Sequence, residues 1–167
     1  MQVRSFPPIG TARATRLILG TMPGKMSLVA HEYYAHPRNA FWDIIQQLFG
    51  IARALPYAQR VQALEKHGIA VWDVLAACTR SSSLDSDIVA DSIVPNEFVP
   101  YLTTHPAIRT IYFNGQSSQR LFEKHVLPVL TPRQQQIERV ALPATSPAHA
   151  RMTRVQKVRG WRVILKP

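Results

Sequence analysis

The chain alternates short apolar runs with amphipathic stretches. Arg16 to Met22 (RLILGTM) is an apolar run too short for a helix, and it stops at the turn signal Pro23-Gly24, so it reads as a buried strand. Ala40 to Phe49 places Phe41, Trp42, Ile44, Ile45, Leu48 and Phe49 at helical spacing, with Asn39 as N-cap and Gly50 as the stop. A second helix spans about Tyr57 to Lys66 and ends at Gly68. Ile69 to Ala76 (IAVWDVLA) suits a strand covered on both faces, interrupted by one carboxylate, Asp73, whose burial needs a reason. Thr79 to Pro95, rich in Ser and Asp, reads as a loop because apolar sequence resumes on both sides. Arg109 to Asn114 predicts a third strand, followed by a helix from about Gln116 to Leu127. Ile137 to Leu142 predicts a fourth strand running into Pro143-Ala-Thr-Ser-Pro147, and the basic segment from His149 is helical at first, with Gly160 obscuring its end.

Strands alternating with helices predict an α/β fold: a parallel sheet with helices on both faces, where ligands bind beyond the carboxyl ends of the strands. The Gly20 to Gly24 turn, Asp73, Asn114 and the Pro143 loop all fall near that edge. There are no internal repeats and no low-complexity tract, and 167 residues fit a single domain over 1–167.

Composition narrows the function classes. Hydrophobic residues at 46% and charged residues at 18% describe a globular chain, not a disordered one. The 20 Lys and Arg against 10 Asp and Glu leave a net charge of +10, a field that attracts polyanions, although a solvated basic face alone would look the same. The single cysteine, Cys78, excludes an intramolecular disulfide framework and thiolate-rich metal centres, and the six His show no metal-ligand spacing. No metal is therefore expected. No secretion signal and no apolar run long enough for a membrane span is visible, so a cytoplasmic, nucleoid-associated monomer is expected.

Gly20 to Ser27 (GTMPGKMS) superficially suggests a phosphate-binding P-loop, but three residues separate the glycines instead of four and a proline sits where a backbone donor is needed. The same turn, followed by Tyr33-Tyr-Ala-His-Pro-Arg-Asn-Ala-Phe-Trp42, resembles the first motif of the uracil-DNA glycosylase superfamily, especially its mismatch-specific branch. Leu142-Pro-Ala-Thr-Ser-Pro-Ala148 resembles the second superfamily motif. Cys78-Thr-Arg80 and Ser83-Leu-Asp-Ser-Asp-Ile88 are similar to the hypoxanthine-DNA glycosylases, often counted as family 6. The resemblance, spread in order over Leu17 to Met152, implies a three-layer α/β/α fold with a four-stranded parallel sheet. It also implies water-mediated excision of hypoxanthine or uracil from DNA, without metal or cofactor.

Base excision by water needs a flipped nucleotide, a stabilised leaving base and a water held at the anomeric carbon. Members with strong uracil activity carry Asp or Asn where this chain has Met22; in the hypoxanthine branch the water falls to the Asn of the His-Pro-x-Asn run, here Asn39. From the residues alone Asn39 is equally a helix cap. Gly20, Met22 and Pro23 are expected to border the base, Tyr34 to stack on it, and Asp73 and Asn114 to contact its edge. Tyr34 by periodicity could instead be core, like Tyr33, and Asp73 could belong to a structural ion pair. Ser146, Pro147 and His149 suit gripping the flanking phosphates, with His149 able to donate to the departing base. Arg151 and Met152 lie where related enzymes insert a wedge, and Arg154 begins a phosphate-contacting basic run with Lys157 and Arg159. Two rivals stand beside this reading: a non-catalytic nucleic-acid-binding module on the same fold, and a nucleotide-binding α/β enzyme unrelated to DNA.

Overall fold

Apolar side chains pointing alternately to either face of a sheet can be buried only if both faces are covered, and this decides the architecture. The computed structural model describes residues 1–166. Its elements run β1 (Gln2–Arg4), β2 (Arg16–Gly20), α1 (Lys25–Ala30), α2 (Phe41–Phe49), α3 (Tyr57–Lys66), β3 (Ile69–Asp73), β4 (Leu75–Thr79), β5 (Val94–Pro95), α4 (Phe98–Thr104), β6 (Thr110–Asn114), α5 (Gln116–His125), α6 (Pro132–Gln135), β7 (Glu138–Leu142) and α7 (Arg154–Trp161). The main sheet has the order β3-β2-β6-β7 and every pairing in it is parallel.

Leu17, Leu19, Ala70, Trp72, Ile111 and Phe113 form one hydrophobic cluster with Phe98, Tyr101 and Leu102 of α4 and Phe122 of α5. Ile18, Ile69, Val71 and Tyr112 form the other, with Phe41, Trp42, Ile44 and Ile45 of α2, Leu64 of α3, and Val158 and Trp161 of α7. Helices thus cover both faces, giving the three layers that the alternation of elements predicts.

The run Ile69 to Ala76, expected as one strand, is two. The main-sheet strand ends at Asp73, where the Val74 N–H donates to the Gly20 carbonyl at 2.8 Å and the Leu75 N–H to that of Thr21 at 3.2 Å. The chain then enters a second, antiparallel sheet of order β1-β4-β5. Both halves are buried, so hydrophobicity shows no boundary between them. The Ser- and Asp-rich loop holds two 3-10 turns, Asp85–Asp87 and Ala90–Ser92, besides β5. Helix α5 stops at His125 and a 3-10 turn, Leu127–Val129, follows.

Helix α7 runs through Gly160, which settles the end that glycine obscures in the sequence. A Cβ at Gly160 would lie 2.6 Å from Pro143 Cγ, and the Trp161 indole N–H donates to the Pro143 carbonyl at 2.8 Å. The helix is therefore seated directly on the start of the proline-rich loop. Alanine gains about 1 kcal/mol over glycine inside a helix, whereas overpacking a tight contact costs about 1–3 kcal/mol. Gly160→Ala is expected to lower the melting temperature followed by circular dichroism, despite its better helix propensity; a rise would mean that Pro143 yields without cost.

Candidate active site at the carboxyl edge of the sheet

Parallel pairing brings the ends of β2, β3, β6 and β7 to one edge, with Gly20 opposite Asp73 and Asn114 opposite Leu142. Gly20 leaves space that no side chain could share: a Cβ there would lie 2.6 Å from Asp73 Oδ1 and 3.0 Å from the Tyr34 hydroxyl. Asp73 is 3% exposed and has no ion-pair partner among the described residues. The ion pair weighed for it is therefore not what explains its burial. Its Oδ2, the Tyr34 hydroxyl and Arg80 Nη1 are all buried without hydrogen bonds. Buried polar side chains without partners are enriched at functional sites. Burial pushes the Asp73 carboxyl up to about 7; the Asp85 charge adds to this and the Arg80 guanidinium opposes it.

Tyr34 has φ +57°, a left-handed conformation costly for an aromatic residue. Its ring stacks on Phe41 at 4.1 Å, so that face is taken by the protein. Its hydroxyl lies beside the Asn114 amide, without hydrogen-bond geometry. Tyr33 is a core residue whose hydroxyl donates to the Pro7 carbonyl at 2.9 Å. Met22 is 8% exposed and packs in the core, so its side chain is withdrawn from the edge. Pro23 is buried behind the turn, its carbonyl accepting from Arg80 Nη2, while the Lys25 N–H donates to Ser83 Oγ at 2.9 Å. The Ser- and Asp-rich loop thus braces the glycine turn from behind.

Helix α2 begins at Phe41, with Ala40 in the cap position and already helical at φ −78°, ψ −6°. Asn39, expected as the cap, stands one residue earlier, and its Oδ1 still accepts the Phe41 N–H at 2.9 Å. Asn114 meets Thr145, which is 1% exposed, at both ends of its amide: Nδ2 donates to Thr145 Oγ1 and Oδ1 accepts from the Thr145 N–H, each at 2.9 Å. The Thr145 carbonyl in turn accepts from the Ala40 N–H at 3.0 Å. Sequence reasoning missed Thr145, although a polar residue between two prolines in the second motif was the available signal.

Ser146, Pro147, His149, Arg151 and Met152 lie together on the connection from β7 to α7, and Arg154 opens that helix. The Ser146 carbonyl accepts from the His149 N–H at 3.0 Å and from the ammonium of buried Lys157 at 3.3 Å. Lys157, expected on an outer basic face, is therefore an internal support of the loop. Arg151 is exposed, and Arg154 is exposed but ion-paired with Asp43 at 3.2 Å. Among the described residues no cluster of three or more His, Cys, Asp or Glu could hold a metal ion, and no helix is long and apolar enough to cross a membrane.

A four-stranded parallel sheet carrying a glycine turn, a buried acid and a proline-rich loop at one carboxyl edge places the chain in the class of open α/β proteins, whose ligands as a rule bind at that edge. Residues 7–163 match the family described as the Uracil DNA glycosylase superfamily. The hypoxanthine DNA glycosylase of Methanosarcina barkeri is 34% identical over 119 residues, 71% of this chain and 74% of that protein. The protein of the same name from Methanosarcina acetivorans is 32% identical over 116 residues, 69% of this chain and 72% of its own. A solution NMR structure of a Methanosarcina acetivorans protein provisionally assigned as a uracil DNA glycosylase superposes with a TM-score of 0.79 at 29% identity, covering 99% of this chain and 100% of that one. The chain belongs to the uracil DNA glycosylase superfamily and is a DNA glycosylase, an enzyme whose substrate is DNA.

The Asp73 carboxyl titrates near 7 in the folded protein and at about 3.9 in an unfolded chain. The native state therefore holds the proton more tightly, and the stability this contributes is complete below the unfolded value and lost as pH rises through about 7. Asp73→Asn, which keeps the shape without the charge, is expected to match the wild-type melting temperature near pH 4 and to exceed it increasingly toward pH 8. A difference independent of pH would show that Asp73 is not buried as an acid.

Proposed function

We propose that this enzyme is a single-domain, monomeric, cytoplasmic glycosylase that releases deaminated bases, hypoxanthine or uracil or both, from DNA by attack of water. The observation that carries the reading is the convergence of the Asp73 carboxyl and the Tyr34 hydroxyl, both unpartnered, over a glycine that leaves room for no side chain. Hypoxanthine and uracil share a lactam edge, a ring N–H beside a carbonyl, which an acceptor and a donor side by side would read. The names of the two relatives point to the first of these bases.

Asn39 is assigned to the water. Its Oδ1 already accepts one N–H, which fixes the amide, and an amide oxygen has a second lone pair to accept a water proton. Water then adds to the anomeric carbon as the bond to the base nitrogen breaks; His149 on the proline-rich loop gives a proton to the departing base, and solvent takes up the proton that the added water releases. The base-facing backbone of Gly20, Met22 and Pro23 forms one wall. Asn114, whose amide is engaged by Thr145, contributes mainly by holding the loop that carries Ser146, Pro147 and His149. Arg151, Met152 and Arg154 face the duplex, with Met152 the apolar wedge.

Because water is the nucleophile, the strand stays intact and borohydride traps no covalent adduct; a trapped adduct would replace this mechanism with attack by an amine. Asn39→Ala is expected to slow excision of hypoxanthine from a duplex by on the order of a hundredfold or more with little change in DNA affinity, as for a contact made mainly in the transition state. Asn39→Asp should retain more activity than alanine. Excision by Asn39→Ala at the wild-type rate would reduce Asn39 to a cap.

A further inference from the structure

The loop that carries Asn39 has little packing of its own: Pro37 and Arg38 are exposed. Within the loop, the Asn39 N–H donates to the His36 carbonyl at 2.9 Å, closing a single turn. What reaches it from outside is Arg53, which lies beyond α2 and in none of the motifs. Arg53 Nη2 donates to the Pro37 carbonyl at 2.8 Å and Nη1 to that of Asn39 at 3.4 Å, so one planar guanidinium grips the backbone on both sides of Arg38. The same Nη1 lies 2.8 Å from the Asp43 carboxylate on the first turn of α2. That carboxylate also pairs with Arg154 at the start of α7. The Arg53 backbone is fixed in its turn, its N–H donating to Gln46 Oε1 at 2.8 Å.

We propose that Arg53 is a positioning residue for excision: by clamping the carbonyls of Pro37 and Asn39 it sets the aim of the Asn39 side chain, and Asp43 ties the clamp to the DNA-facing helix. The proposal rests on the reading of Asn39 as the water-positioning residue. A merely stabilising ion pair makes a different forecast, because Arg53 and Asp43 are 29% and 20% exposed in their side chains and pairs of that kind add little stability. Losing such a pair would shift the melting temperature slightly and leave the chemical step alone. Losing the clamp leaves the fold in place and misdirects an atom that must sit within a fraction of an ångström of its working position.

The test is single-turnover excision from a duplex carrying one hypoxanthine, with enzyme in excess and well below each variant's melting temperature, for wild type, Arg53→Met, Arg53→Lys, Asn39→Ala and the double variant Arg53→Met with Asn39→Ala. Arg53→Met is expected to slow the step about tenfold with an unchanged duplex Kd, since small misalignments carry rate penalties of that order and more. Arg53→Lys should recover part of the rate, because one ammonium can reach one of the carbonyls but not both. In the Asn39→Ala background the Arg53 substitution should cost nothing further, the signature of two residues acting through one element. Wild-type excision by Arg53→Met while Asn39→Ala is slow would overturn the clamp alone. An equal loss in both backgrounds, or a loss matched by weaker duplex binding, would also overturn it. Wild-type excision by Asn39→Ala would bring down the catalytic reading of Asn39 and the clamp with it.

Discussion

The site depends on one buried threonine. Thr145 uses its N–H and hydroxyl to engage both ends of the Asn114 amide, and its carbonyl to receive the N–H of Ala40. A polar residue so enclosed is costly unless its hydrogen bonds are made, and here the partners come from the end of a strand and the start of a helix. The requirement that Thr145 be satisfied fixes the proline-rich loop relative to β6 and α2. Lys157 and Trp161 repeat the device from the other side, bonding to the carbonyls of Ser146 and Pro143. The residues assigned to DNA contact thus hang from a connection pinned at several points by buried polar groups.

The other half of the edge is held in the opposite way. Beside Gly20 the buried Asp73 Oδ2 and Tyr34 hydroxyl lack partners, and Tyr34 combines a left-handed backbone with a ring stacked on Phe41. Satisfied groups position the loop, and in the proposed reading the unsatisfied groups face the base, the division expected where binding must be selective. In that reading a base offering the wrong edge would leave the acid and the hydroxyl unpaired in a medium that penalises them heavily.

What the sequence disclosed follows the same division. Three of the four main strands were legible because each is a short apolar run, buried on both sides; the fourth, β7, is mostly exposed and was marked by its run into the proline-rich turn, and their parallel order gathers Gly20, Asp73 and Asn114 without further assumption. The break at Val74 was not legible, since the residues on either side are equally buried and only the hydrogen bonds to Gly20 and Thr21 change. Tyr34 was expected to offer its ring, yet Phe41 occupies one face, a contact across a loop that no periodicity reveals. The Arg53 contacts span 14 and 16 residues, between a partly buried arginine and backbone carbonyls, and a carbonyl has no residue type to read.

The passage of one strand from the main sheet to the small one has a mechanical consequence. Since β3 and β4 are joined through Val74, whose N–H and that of Leu75 close onto the ends of β2, neither sheet can open at that corner without the other. The amides there are held by both sheets at once and should be among the slowest to exchange with solvent hydrogen. The backbone of Gly20 and Thr21 is thereby an anvil of fixed shape beside the more exposed stretch from Ser146 to Thr153.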